Sequence, residues 1–449
     1  LPVDVGSATT GQVTIEQILE EKKTFDLSLS FEKLGVDEGR GWRKPSPSSP
    51  TILSTLPTKS NILSVHMLDV TLPGSTEPRT YIAATTADRR LNLVDPLGAD
   101  FPLVRSYSNL MDSPLLDLVA FNSRYVLAAS MSGKLMLYDT AKDSRIGERK
   151  DHSKYIVKIA TWIQPGCTFV ATAGWDSKVL LYKIDTYDDE QVTLGEPIAS
   201  LTLPTIPETL LFIQGYSSSL PVLIIARRDS TFLYYYSVPG PTSAVPEIGL
   251  LGKQNLAPLS NAWIAFSPSD VQICPTDPSL AAVATSSTPH MKLIVVRLLV
   301  PPGPTEMQTV SLTQDSAANP ATSLSPQTHS TQASQARAEL ITQDKEEAAM
   351  VFNISTLAPQ TQYSVPRVSW RPDGSGLYVS SDDGVIRGFE ASTGKLVSTL
   401  SAHDPGFKIR CLWSGRLKAQ SSEDPASNSG TEYLISGGFD QRLIVWESS

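Results

Sequence analysis

The chain has 449 residues, 41% hydrophobic and 18% charged, with 37 Lys and Arg against 46 Asp and Glu for a net charge of −9. That is a globular composition, which excludes a wholly disordered or collagen-like chain, and its acidic balance argues against general nucleic-acid binding. No apolar run approaches the ~20 residues of a membrane span, so membrane insertion is not expected.

Residues 1–13 read as a flexible N-terminus with neither the basic nor the apolar region of a secretory signal. Residues 14–36 read as helical: Ile15, Ile18 and Leu19 share one face, Phe25 and Leu29 continue it, Thr14 with Gln17 makes a capping box and Gly35 suits the stop. The spacing resembles the LisH dimerisation motif, although the closing aromatic falls out of register at Phe31. The resemblance implies self-association through this helix; the alternative is a helix packed on the side of the main domain. Residues 37–50, which include GWRKPSPSSP, read as a Pro/Ser linker.

From residue 51 onward the chain repeats itself. Seven times a β-rich run is followed by a tight polar turn and a second β-rich run: DRRLNLV from Asp88, SGKLMLY from Ser132, DSKVLLY from Asp176, DSTFLYY from Asp229, HMKLIVV from His290, DGVIRGF from Asp383 and DQRLIVW from Asp440. The apolar residues after each turn recur with period two, which specifies strands. Runs such as YVLAAS (125–130) and TFVATA (168–173) precede the turns, and most have a further apolar stretch upstream. A small antiparallel sheet cannot bury both faces alone, whereas seven arranged radially can.

These units resemble WD40 repeats, and the resemblance covers residues 51–449. The last unit carries His403, Ser436, Asp440 and Trp446, the residue types of that family's structural tetrad, and the third carries His152, Thr172 and Asp176 with Tyr182 in the Trp place. The other units are degraded, and the fifth has no turn Asp. The resemblance implies an all-β fold: a seven-bladed WD40-type β-propeller with a short N-terminal helical extension. The chain stops after the third strand of the last blade, so residues 51–58, whose LSTL echoes the LVSTL at 397–400, are expected to supply the missing outer strand and close the ring. Residues 300–348, rich in Ser, Thr, Gln, Pro and Ala, read as a flexible insertion after blade five, with a helix within 336–350 and the returning outer strand within 349–355.

No phosphate loop, nucleophile elbow or zinc-binding HExxH is present. Cys167, Cys274 and Cys411 are far apart and form no CxxC pair, so neither a disulfide framework nor a metal site is expected, and a reducing compartment, cytoplasmic or nuclear, is. With the channel-lining first strands reading as apolar, the expectation is a non-catalytic scaffold or adaptor, without cofactor, binding other proteins or peptides; substrate recognition in a ubiquitin ligase is one job that suits LisH plus WD40. The alternatives are a reader of a modified or phosphorylated peptide, resting on Arg228 and Trp175, and, from another class, a propeller-channel hydrolase or lyase. By resemblance the residue before each turn Asp points to the partner-binding face. Trp175, Arg228, Phe439, Met131 and Asp382 hold that place, and Tyr155 and Phe407 lead into strands near the same rim.

Overall fold

The computed structural model describes residues 41–186, 192–215, 220–240, 246–260, 266–288, 290–302, 328–361, 363–417 and 430–448. The helical segment 14–36, with the LisH-like spacing it carries, and the flexible stretch 1–13 lie outside them.

The described chain forms seven four-stranded antiparallel sheets. Blade one runs Ile62–Val70, Arg79–Thr86, Arg90–Val94 and Leu103–Ser108 from the axis outward. The other inner strands are Leu115–Phe121, Ile156–Gln164, Pro207–Gln214, Ser267–Cys274, Val368–Trp370 and Ile409–Arg416. Each inner strand touches the next, and the last touches the first, so the sheets form a closed seven-bladed β-propeller.

Both faces of a blade pack on a neighbour, so the middle strands are buried over most of their length. Tyr125–Ser130 and Cys167–Gly174 are buried at every position. The core is accordingly divided into seven clusters, one per seam between blades: Leu68, Tyr81 and Leu91 of blade one meet Leu115, Val126 and Met136 of blade two, and the pattern repeats around the ring. Each fully buried Leu or Ile contributes about 1.5–3 kcal/mol. Trp370 is buried in the seam between blades five and six, where its Nε1–H donates to Gln272 O at 2.9 Å, whereas Trp162 and Trp413 are only partly buried. The three cysteines are free and buried.

The tight turns share one device. Arg89, Gly133, Ser177, Gly384 and Gln441, each following the turn residue, adopt positive φ. A Cβ at Gly133 would meet Lys154 O at 2.5 Å, so only glycine fits that turn. In blade four Asp229 itself takes positive φ, and Ala226 pairs with Leu233, one residue later than the equivalent pairing of Ala173 with Val179 in blade three. This turn holds one extra residue, which moves the expected core position from Phe232 to Leu233.

Ring closure differs from expectation in register. The strand that completes blade seven is Pro47–Ile52, antiparallel to Leu443–Ser448 with Ile52 opposite Ile444 and Pro50 opposite Trp446, rather than 51–58. An outermost strand is mostly exposed and needs no apolar pattern, and two prolines are tolerated where one edge faces solvent. The apolar residues that suggested the later span do something else: Leu53 and Leu56 fill the seam between blades seven and one.

Residues 41–50 are likewise not a free linker. The Trp42 ring packs edge-on to Tyr378 at 5.5 Å, and the Trp42 backbone N–H donates to Glu390 Oε1 at 3.0 Å. Arg371 lies under the ring, 4.6 Å from its centroid, forms two bonds to Glu432 at 2.8 and 2.6 Å, and donates to the carbonyls of Arg43 at 2.6 Å and Pro45 at 3.2 Å. Gly376 and Gly388 make the berth: a Cβ on either would come within 2.5 or 2.7 Å of the Trp42 ring.

The insertion lies within blade five, between its third and its outer strand. Thr328–Ala348 is a helix, starting earlier than the sequence suggested, and Met350–Pro359 is the outer strand of blade five, pairing with His290–Arg297. Glu346 near the helix end is buried and accepts the Asn255 N–H at 2.7 Å, which docks the helix on blade four's outer strand. Residues 303–327 lie outside the described ones. No described helix is long and apolar enough to cross a membrane.

Arg371 joins the N-terminal segment to two blades, so Arg371→Ala is expected to strand Glu432 as a buried charge and lower stability by about 3–5 kcal/mol in urea unfolding. Arg371→Lys, which keeps the charge and loses the fork, should fall between.

Candidate functional site: the tight-turn face and the channel mouth

The hydrogen-bonded quartet of blade seven assembles completely. Trp446 Nε1–H donates to Ser436 Oγ at 2.9 Å, Ser436 lies 2.9 Å from His403 Nε2, and His403 Nδ1 lies 2.8 Å from Asp440 Oδ2, which also accepts the Asp404 N–H at 3.0 Å. Every polar atom is paired when Trp donates to Ser, Ser to His and His to Asp. The buried carboxylate is held below its usual range: burial raises its pKa, but the bond from His403 and the backbone donors outweigh it. This network ties a loop, a middle strand, the turn and the third strand into one unit.

Blade three repeats three members, with His152 at 2.9 Å from both Asp176 Oδ1 and Thr172 Oγ1. Tyr182, expected in the Trp place, sends its hydroxyl to Asp151 Oδ2 at 3.1 Å, and Asp151 is held by Arg149 at 2.7 Å. The degraded units satisfy their turn carboxylates differently. Asp88 accepts from Thr58 at 2.6 Å, and Asp383 from Arg387 at 2.7 Å.

The rim residues fall into an ordered set. The backbone N–H groups of Ala87, Met131, Trp175, Arg228 and Phe439 donate to Asn61 O, Pro114 O, Tyr155 O, Ile206 O and Lys408 O, each acceptor immediately preceding an inner strand. One repeated bond thus puts these five side chains at equivalent places on one face. Tyr155 and Trp175 stack, with centroids 4.6 Å apart and planes at 27°, and Arg228 lies 5.3 Å over the Trp175 ring. Met131 is 53% exposed and Phe407 46%, while Phe439 is half-buried. Asp382 is not brought to the aromatic group; it pairs with Lys408 at 3.1 Å and with Ser364. Arg228, on which an anion-reading role was expected to rest, is already paired with Glu208 at 2.6 Å.

The channel corrects a second expectation, because its mouth is charged rather than apolar. A cavity of about 210 Å³ lies where the inner strands begin, lined among others by His66, Asp117, Lys158, Asp270, Arg367 and Arg410 from six different blades. Six of the seven inner strands slip register by one residue at this level, between Ile62 and Ser64, Leu115 and Asp117, Ile156 and Lys158, Pro207 and Thr209, Pro268 and Asp270, and Ile409 and Cys411. Such a bulge twists the strand and re-aims the side chains beside it, which explains how polar residues inside apolar runs reach the axis. The clue in the sequence was a recurring polar residue near the start of each inner run.

Two of these carboxylates act as staples between blades. Asp117 accepts the Ile159 N–H of blade three at 2.7 Å, lies 3.0 Å from His66 Nε2 and 3.6 Å from Lys158 Nζ. Asp270 accepts the Val368 N–H of blade six at 3.1 Å, with Arg367 at 3.7 Å. Burial would raise the Asp117 pKa, but Lys158, His66 and the Ile159 N–H overcome it and hold the carboxyl well below the usual range. Beside them Cys411 is driven the other way, its thiol pushed up to about 12 by burial, so it is not a nucleophile at neutral pH. Among the described residues no group of three or more His, Cys, Asp or Glu converges as metal ligands.

Two measurements test these networks. Asp117→Ala removes the acceptor of a buried N–H and the partner of Lys158, and is expected to destabilise by about 2–4 kcal/mol, whereas Asp117→Asn, which keeps an acceptor, should lose clearly less. Burial pushes the His152 pKa down, with Asp176 opposing. A depressed folded value means that the unfolded chain takes up the proton first, so this contribution is complete above about pH 6.5 and is lost as pH falls below it. Denaturation midpoints should therefore decline from pH 7 to pH 5 less steeply in His152→Gln than in the parent chain. Asp176, held low by His152 against the effect of burial, acts in a separate window below about pH 4.

No curated protein is significantly similar to the chain. The profile of the family described as "UCP007778, beta-propeller domain" matches residues 75–416, about three quarters of the 449 residues, from the second strand of blade one to the inner strand of blade seven. The match covers more than half of the chain and agrees with the propeller observed, so the chain belongs to the UCP007778 β-propeller family.

Proposed function

We propose that this propeller is a non-catalytic interaction scaffold that binds a protein or peptide on its tight-turn face. The observation that carries this reading is the Tyr155–Trp175–Arg228 stack, with Met131 and Phe407 exposed elsewhere around the same rim. Aromatic, Met and Arg side chains held at equivalent positions on one rim are the composition of interface hot spots, and nothing in the seams between blades requires them there. The engagement of Asp117 and Asp270 by backbone donors supports a structural rather than a catalytic use of the channel carboxylates.

The complete His403–Ser436–Asp440–Trp446 network favours a WD40 identity for the repeats. A finer reading, in which the face recognises substrates for a ubiquitin ligase in the cytoplasm or nucleus and the N-terminal segment self-associates, rests on the LisH-like spacing of residues 14–36.

Co-purification with quantitative mass spectrometry is the test. Trp175→Ala is expected to weaken capture of the partner by about 2 kcal/mol or more, roughly thirtyfold. Val397→Ala, which alters an exposed apolar residue on an outer strand, should leave capture unchanged. Equal partner profiles for the two variants would remove the rim from the interface.

A further inference from the structure

Among the charges at the channel mouth, one is left over. Asp117 is committed to the Ile159 N–H and flanked by His66 and Lys158, and Asp270 is committed to the Val368 N–H with Arg367 beside it. Arg410, on the inner strand of blade seven, has no carboxylate within 4 Å among the described residues, and its Nη1 is buried without a hydrogen-bond partner. The groups whose charge it feels are Arg367 on one side, which repels it, with Cys411, Glu208 and Tyr155 around it. Glu208 is already paired with Arg228, and the Cys411 and Tyr155 protons are both held up to about 12 by burial, so none of the three acts as a free anion. Burial lowers the Arg410 pKa to about 10, which leaves the guanidinium charged at neutral pH.

A half-buried guanidinium whose Nη1 is cut off from water and from any carboxylate is costly unless something neutralises it. The lining of the cavity carries Lys158, Arg367 and Arg410 against Asp117 and Asp270, a surplus of one positive charge in a protein of net charge −9. At about 210 Å³ the space holds several waters at about 30 Å³ each, or one oxyanion group on the end of a side chain. The cavity lies at the starts of the inner strands, the same end as the turns that carry Trp175 and Arg228, so it adjoins that face.

We propose that the channel mouth is an oxyanion-binding site in which Arg410, supported by Arg367 and Lys158, receives a carboxylate or phosphate group borne by the partner that docks on the tight-turn face. The guanidinium fork suits both groups, since each presents two oxygens in the spacing of its N–H donors. The site itself stands on the cavity and Arg410; only the source of the group rests on the reading of the rim as a partner surface.

The test is calorimetry and thermal melting of the full chain with inorganic phosphate and, separately, with acetate, at constant ionic strength maintained with chloride. Saturable one-to-one binding of at least one of them, with a rise in melting temperature that follows its concentration, is expected, and the tighter probe identifies the group. Arg410→Gln should melt at or above the parent temperature in chloride alone, because a buried charge has gone, and should bind the probe at least tenfold more weakly. Lys158→Gln, a second variant of the same lining, should weaken it as well. Absence of saturable binding to both probes, or an Arg410→Gln chain that responds like the parent, overturns the site. That failure is distinct from failure of the rim, which is read from partner capture by Trp175→Ala and not from anion binding.

Discussion

A row of four-stranded sheets packed face on face ends in two unsatisfied surfaces, and each sheet has an outer edge of open N–H and C=O groups. The molecule removes the two ends by bending the row into a ring, and the last sheet is completed by a strand from the other end of the chain. Pro47–Ile52 lies on Leu443–Ser448, and Leu53 continues the contact by donating its N–H to Leu443 O at 2.9 Å. The seam beneath them is filled by Ile62 and Val65 of blade one against Ile435 and Val445 of blade seven. Every other seam is equivalent only because this one is shut, so closure is the constraint on which burial of the whole ring depends.

Closure is reinforced away from the strand itself. Trp42 sits in a berth made by two glycines, and Arg371 spans from it to Glu432 on blade seven's middle strand, so blade six, blade seven and the incoming N-terminal segment are held by one guanidinium. A planar fork with five donors is needed because Glu432 and two carbonyls must be satisfied at once. The same economy of buried polar groups appears at the hub, where Asp117 and Asp270 each take a backbone N–H from the next blade. Ring geometry brings seven strand starts toward one axis, and the bulges there turn polar side chains inward. The hub is therefore polar, and the seams around it are mainly apolar.

The hydrogen-bonded networks of blades three and seven are catalytic in appearance, with a hydroxyl, an imidazole and a carboxylate in line, yet each lies within a blade and links its own loop and strands. The groups with spare capacity are elsewhere: the aromatic stack on the rim and the guanidinium of Arg410 at the mouth. One offers apolar area and the other a charge, both on the same face.

Much of the fold was legible in the residues. Period-two apolar runs, Asp or Ser at tight turns, and the His403–Ser436–Asp440–Trp446 spacing specify seven antiparallel units, because strand alternation and turn chemistry are local properties. The places of Met131, Trp175, Arg228 and Phe439 followed from the resemblance, and a backbone bond repeated in five units fixes them relative to the turns, whereas Asp382 pairs with Lys408 instead. The closing strand was displaced from 51–58 to Pro47–Ile52 because an exposed edge strand carries no apolar signature, and the docking of Trp42 was hidden because its glycine berth lies more than 300 residues away. The polarity of the channel and the isolation of Arg410 were decided only when the inner strands met at one axis, since charge partners drawn from different blades are set by distance in space and have no fixed spacing along the chain.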